Sequence, residues 1–290
     1  MNHIEDGIVA AADAQSLGGV AAESYALKTD VAPDSAMLGG KAPAYYLQPR
    51  NLLDNSDFRI AQAGYGGLHG TQKYACDRWY DTYGFGSFSF NESTGLTVAY
   101  GTNHAYLVQK INGASLLHGK TVTLAMQLSD GSVYAKSGVF VSDGASFRID
   151  IATDKNVTLF SDRVEFVVVS GSMTIKWAAL YEGSYTTDTL PPYVPKGYAA
   201  ELAECKRYYN IIPYDMDDYS VNANASYPSM YPVSFPEMRI VPTVTLQESW
   251  NVGSAGVSVG SITKSSLAFQ AAATSSRVAW HGKIELGADL

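Results

Sequence analysis

Apolar and polar residues alternate with a period of two through five stretches of the chain: Ser87-Phe88-Ser89-Phe90, Leu96-Thr97-Val98-Ala99-Tyr100, Thr121-Val122-Thr123-Leu124-Ala125-Met126, Phe147-Arg148-Ile149-Asp150-Ile151 and Met173-Thr174-Ile175-Lys176-Trp177. Successive side chains of a strand point to opposite faces, so this period predicts strands buried on one face and wet on the other. Ser129-Asp130-Gly131, Ser142-Asp143-Gly144 and Asp154-Lys155-Asn156 supply turns between them, because Gly, Asn and Asp tolerate the backbone angles that tight turns require. Short strands punctuated this way predict an antiparallel β-sandwich over residues 51–190, of the jelly-roll kind.

Pro191, Pro192 and Pro195 interrupt that texture. Beyond them Ala199 to Tyr209 reads as a helix, with Leu202, Cys205 and Tyr209 on the inner face and Glu201, Glu204 and Arg207 toward water. Strand patterns then return at Val233-Ser234-Phe235, Thr243-Val244-Thr245-Leu246, Val257-Ser258-Val259 and Arg277-Val278-Ala279-Trp280. Residues 191–290 are therefore expected to form a second, smaller β domain led in by a short helix.

The first fifty residues differ. Ile4, Ile8, Ala11 and Ala12 share one helical stripe, predicting a helix over residues 2–15. A 21-residue repeat follows, in which Leu17-Gly18-Gly19-Val20-Ala21 returns as Leu38-Gly39-Gly40-Lys41-Ala42. Pro33 and Asp34 start, and Gly39-Gly40 stop, one or two helical turns. So short a repeat carries too little apolar side chain to close a core within one chain. Residues 1–50 are expected to associate with copies of themselves as a stalk, with Ile4, Ile8, Leu17 and Leu38 at the contacts.

Composition narrows the possible functions. Of 290 residues 46% are hydrophobic and 17% charged, yet no apolar run approaches the ~18 residues of a membrane span, so no membrane insertion is expected. Met1-Asn2-His3-Ile4-Glu5-Asp6 lacks the basic and apolar regions of a signal peptide, and export by that route is not expected. The net charge is −8 and the basic residues are scattered, which argues against nucleic-acid binding, whose affinity comes from clustered Lys and Arg. Cys76 and Cys205 match no metal or redox spacing and read as buried or free thiols, in keeping with assembly in a reducing cytosol.

Candidate chemistry is sparse. Gly113 to Thr121 superficially resembles a phosphate loop, but five residues rather than four separate Gly113 from Gly119, and Thr121 begins a strand instead of the helix that phosphate binding needs. His3, His69, His104, His118 and His281 are dispersed without helical partners, so no metal centre is expected. Asp215, Asp217 and Asp218 read as a solvated charged turn, lacking the Gly and distal Glu of a calcium loop. Gly256-Val257-Ser258-Val259-Gly260 matches the Gly-x-Ser-x-Gly spacing but lies in a strand pattern instead of at the strand-to-helix turn of a nucleophile elbow, and no catalytic residue or cofactor is assigned.

Several short motifs, in order, carry a family resemblance. Asn51-Leu52-Leu53-Asp54-Asn55-Ser56-Asp57-Phe58, with Gln62, Gly64 and Asp77-Arg78-Trp79, resembles the start of a jelly-roll module of phage and prophage tail fibres. Lys176-Trp177 through Glu182-Gly183, then Ala200 to Tyr209, resembles the same family's link into its tip, and Met238-Arg239 with Pro242-Thr243-Val244-Thr245 is similar to a strand found there. Asn2 to Gly7 and the Leu-Gly-Gly repeats resemble stalk segments. The resemblance implies a homotrimeric receptor-binding protein of a phage tail or tail-derived bacteriocin, made in the bacterial host cytoplasm and located in the virion. It would join other tail or baseplate proteins through its N-terminus and bind a bacterial surface polysaccharide or wall polymer. Related modules can take a calcium ligand near this start; here Arg59 follows Phe58, and a cation does not suit that role.

Tyrosine is in excess, at 20 of 290 residues. Tyrosine offers stiff, amphipathic area suited to flat polar ligands such as sugar rings. Tyr214, Tyr219, Tyr227, Tyr231, Trp250 and Trp280 concentrate in the last domain and are the expected glycan contacts. The expected function is non-enzymatic host recognition; the rivals are a polysaccharide-degrading or deacetylating fibre and a purely structural spacer.

Overall fold

Alternation along the strands is carried through into two facing sheets. The computed structural model describes residues 16–17, 20–21, 49–69, 72–218, 229–274 and 277–288, and the chain divides into two compact units, Met1–Pro49 and Arg50–Leu290. In the first unit β1 (Ser16–Leu17) and β2 (Val20–Ala21) pair antiparallel, Leu17 opposite Val20. The predicted helix over 2–15 and turns over 33–40, with Ile4, Ile8 and Leu38, lie outside the described residues.

The second unit begins with twelve strands: β3 (Leu68–His69), β4 (Gln72–Cys76), β5 (Trp79–Asp81), β6 (Ser87–Asn91), β7 (Gly95–Ala99), β8 (Ala105–Lys110), β9 (Thr121–Leu128), β10 (Val133–Val139), β11 (Ala145–Ala152), β12 (Lys155–Phe160), β13 (Arg163–Val168) and β14 (Ser172–Glu182). They form a five-stranded sheet, β10-β9-β14-β7-β6, and a seven-stranded sheet, β11-β12-β13-β8-β5-β4-β3. Leu96, Val98, Leu124, Met126, Ile175 and Leu180 from the first meet Trp79, Leu107, Val157, Phe166 and Val168 from the second in one buried core, the arrangement of a β-sandwich. Four of the five alternating stretches fall wholly on strands, and Leu96–Tyr100 runs one residue past the end of β7. Gly113 to Thr121 is a short 3-10 turn running into β9.

The strand β14 is buried on both faces from Trp177 to Tyr181. Ala125, Trp177, Ala179 and Tyr181 point away from the main core, and Tyr185, Leu190 and Tyr193 from the following segment cover them. The Trp177 and Tyr193 rings stack at 4.8 Å and 3°.

The helix α1 spans Tyr198–Lys206, shorter than predicted and turned differently. Its buried residues are Glu201 and Cys205, not Leu202, Cys205 and Tyr209. Glu201 is drawn inside because its carboxylate accepts the buried backbone N–H of Asn55 and faces the Lys196 ammonium. The helix stops where the Arg207 and Tyr208 N–H groups close onto the carbonyls of Glu204 and Cys205. Tyr209 then opens β15 (Tyr209–Asp218).

Five further strands follow: β16 (Ser229–Ser234), β17 (Thr243–Val252), β18 (Ser254–Ile262), β19 (Ser266–Ala273) and β20 (Val278–Gly287). They make two three-stranded sheets, β15-β20-β17 and β16-β19-β18, closed on a core of Met216, Val233, Phe269, Trp280, Ile284 and Leu286. Asp215, Asp217 and Asp218 therefore sit on a strand and not in a turn: pairing with β20 fixes them in extended backbone. No described helix is long and apolar enough to cross a membrane. Both cysteines are buried and free, and burial pushes both thiols up, which keeps them unreactive.

The motif at residues 51–62 ties these parts together. Asn51 accepts the N–H groups of Leu53 and Leu180 and donates to Ala178 O. Asn55 donates to the carbonyls of Ile60 and Asp77 and accepts the Ile60 N–H, while Phe58 packs on Trp79 with ring centroids 5.2 Å apart. Gln62 bonds the Asp77 carboxylate and, at 2.7 Å, the Tyr209 carbonyl. The start of the sandwich is thereby fastened to the start of β15.

Candidate ligand-binding face

Register places the chemical groups of the C-terminal β sheets. Alternate residues of the β15-β20-β17 sheet line up across three strands, and the rows facing away from the core read Ile211/Glu285/Thr245, Pro213/Lys283/Gln247 and Asp215/His281/Trp250. A register shift between Glu248 and Trp250 brings the indole opposite His281; without this irregularity the period of two would send Trp250 to the other side.

The row ending in Trp250 is the richest in chemistry. Trp250 is 43% exposed, its ring centroid 4.8 Å from that of His281 at 49°. The His281 Nδ1 is paired with the Asp215 carboxylate. Arg277 makes a two-point contact to Asp217, at 3.0 and 2.9 Å, and its guanidinium carbon lies 5.9 Å from the Trp250 ring centre. Pro213, Asp215, Gln247, His281 and Lys283 border a shallow depression of about 670 Å³. This face thus offers an indole for stacking, fixed carboxylate and imidazole groups, and the amide and ammonium of Gln247 and Lys283 for hydroxyls.

At the other end of the same sheet Thr243, Thr245, Glu285 and Gly287 meet the sandwich edge in a cleft of about 160 Å³. His69 is held there between Tyr74 and Tyr209, with ring centroids at 3.8 and 3.5 Å. Burial, reinforced by Glu285 and Asp77, raises the Tyr209 hydroxyl well above its ordinary range.

The expected contacts divide sharply. Trp250 is on the exposed face. Trp280 is not a surface residue: it is fully buried, packed on Phe269 and Tyr214, because its parity on β20 points it into the core. Tyr214 and Tyr231 are half-buried and pack against that core, and the Tyr231 hydroxyl donates to Asp218. Tyr219 and Tyr227 lie outside the described residues. His281, Asp215, Gln247 and Lys283 were missed as a group because only cross-strand pairing makes them neighbours.

Gly282 makes room for this geometry. A Cβ there would stand 2.2 Å from the Gln247 carbonyl and 2.6 Å from the Trp280 indole. Gly282→Ala is expected to cost about 2 kcal/mol by overpacking, read as a lowered melting temperature together with a changed near-ultraviolet signal from the tip tryptophans.

Carboxylates also gather beneath α1. Asp54, Glu201 and Glu204 bring oxygens within 4.8 Å of one another, a spacing able to hold a divalent cation, and the Lys196 ammonium stands among them. Burial pulls that ammonium down, but Glu204, Glu201 and Asp54 outweigh it and hold Lys196 above the ordinary lysine value. Arg78 also pairs with Asp54 at 3.2 Å and Arg50 with Glu204 at 3.7 Å, so the chain places its own cations on these carboxylates. Compared with protein-family models, with curated proteins and with solved structures, the chain matches none.

Proposed function

We propose that the chain is a receptor-binding protein of a phage tail fibre or tail-derived bacteriocin. In this reading it is a homotrimer with an N-terminal stalk, a jelly-roll sandwich and a tip that binds a bacterial surface polysaccharide or wall polymer without cleaving it. The observation that carries the reading is the Asp215/His281/Trp250 row, exposed on a sheet whose other face already closes its own core. An indole stacks on the C–H face of a pyranose ring, and the adjacent carboxylate, amide and ammonium groups exchange hydrogen bonds with its hydroxyls. Three such sites held together gain on the order of 10²–10⁴ in avidity over one.

The test is adsorption of labelled protein to host strains lacking individual surface polymers. Trp250→Ala is expected to lower single-site affinity about tenfold or more, as for an aromatic anchor, and adsorption by more through lost avidity. Trp250 is half exposed, so the variant is expected to fold. Unchanged adsorption, or a monomer in solution that still binds cells, would overturn the reading. Release of fragments from wall polymer would replace it with the degrading one, and failure to adsorb to any host with the spacer.

A further inference from the structure

A second group of exposed rings lies on the sandwich, far in sequence from the tip. Tyr83 is 60% exposed, Phe85 39% and Tyr100 42%. The Tyr83 and Phe85 rings lie within 18° of parallel with centroids 6.2 Å apart. Tyr106 meets Tyr83 edge-on at 5.0 Å, and His104 bridges Tyr106 and Tyr100 at 6.1 and 6.3 Å. The His104 Nδ1 and the Tyr106 hydroxyl are 3.3 Å apart.

The loops carrying these rings are fixed from beneath. The fully buried Asp81 carboxylate accepts the N–H of Gly86 at 2.6 Å and that of Tyr83 at 3.3 Å, and Lys73 donates to the Gly86 carbonyl at 2.6 Å. Thr82 N–H bonds Tyr106 O, and Tyr100 N–H bonds Gly171 O. A Cβ on Gly101 would stand 1.7 Å from the Phe85 carbonyl, so the two loops pack together only because Gly101 lacks one. Rings held this way lose little freedom on binding.

From this geometry we infer that the sandwich bears a second carbohydrate site, a neutral stacking platform of Tyr83, Phe85, Tyr100, His104 and Tyr106 that takes an uncharged hexopyranose chain. The inference rests on the glycan-binding reading and extends it to a different surface. Residues 82–86 and 100–104 contain no Asp, Glu, Lys or Arg, so nothing in them selects a charged sugar. They also contain no Leu, Ile, Val or Met, whereas an obligate contact with a second copy of the chain would resemble a divided core. Flat faces rimmed by hydroxyl and imidazole groups suit a sugar, which presents C–H on its faces and O–H around its edge.

The test is calorimetric titration of the whole protein with maltohexaose, cellohexaose and β-1,4-galactohexaose, with hyaluronan hexasaccharide as the charged control. Saturable binding of at least one neutral probe is expected, insensitive to salt because no ion pair forms. Y83A/F85A is expected to weaken it about tenfold or more and Tyr83→Phe to keep it. The inference is overturned if no neutral probe binds, if Y83A/F85A binds as the parent does, or if Y83A/F85A has a lower mass in solution, which would make the platform a contact between copies. Host adsorption that depends on Trp250 alone would sink this site and leave the tip reading standing; adsorption that depends on neither Trp250 nor the Tyr83 and Phe85 pair would sink both.

Discussion

Asn55→Ala is expected to destabilise the protein by about 4 kcal/mol, a large share of the 5–15 kcal/mol typical of a folded domain. Asn55 is fully buried and its amide makes three hydrogen bonds, to Ile60 O, Asp77 O and the Ile60 N–H. Alanine leaves those partners buried and unmet, at about 1–3 kcal/mol for each unsatisfied group before relaxation. The backbone adds to the loss, since Asn55 has a φ of 46°, a conformation that asparagine tolerates and alanine resists by about 1 kcal/mol. Asn55→Gly removes that second part alone and is expected to be about 1 kcal/mol less damaging. Urea unfolding followed by tryptophan fluorescence reads both, because the indole of Trp79 donates to the Asn55 carbonyl. A loss under about 1 kcal/mol would show that water replaces the amide.

That asparagine shows how far the sequence reaches. The alternation of Leu96, Val98, Leu124 and Ile175 marks the buried faces, because inward orientation on a strand is a local property. Strands such as β4 and β5 were missed: β5 has three residues, too few to show a period. The face at Trp250 depends on a register irregularity in β17, and the platform at Tyr83 and Tyr100 depends on two loops meeting at Gly101. Neither has a signature along the chain. Tyrosine content pointed to the tip, where Tyr214 and Tyr231 pack against the core, while the most exposed tyrosine of the sandwich, Tyr83, was passed over. The 51–58 stretch was legible as a motif and its mechanical role was not, since Asn55, Glu201 and Lys196 come together only when α1 docks.

Glu201 provides the sharpest test of that docking. Its carboxylate accepts the buried Asn55 N–H and neighbours Lys196, Asp54 and Glu204. Glu201→Ala strips the acceptor from Asn55 and a partner from Lys196, and is expected to cost about 2–3 kcal/mol; Glu201→Gln keeps an acceptor oxygen in place and is expected to retain most of the stability. The two variants then separate by pH. Burial raises the Glu201 carboxyl above its ordinary value of 4.5, against the lowering effects of the Asn55 N–H and Lys196. The folded protein therefore binds this proton more tightly than the unfolded chain, and the contribution of Glu201 to stability declines as pH rises from the ordinary glutamate range through the folded value. Glutamine does not titrate. Relative to the parent, Glu201→Gln is expected to gain stability as pH increases across that window and to show a constant difference below it, measured by urea unfolding at fixed ionic strength. A parent that instead gains on the glutamine variant with rising pH would mean that Lys196 holds Glu201 ionised, making the contact a net attractive ion pair at the junction of sandwich and tip.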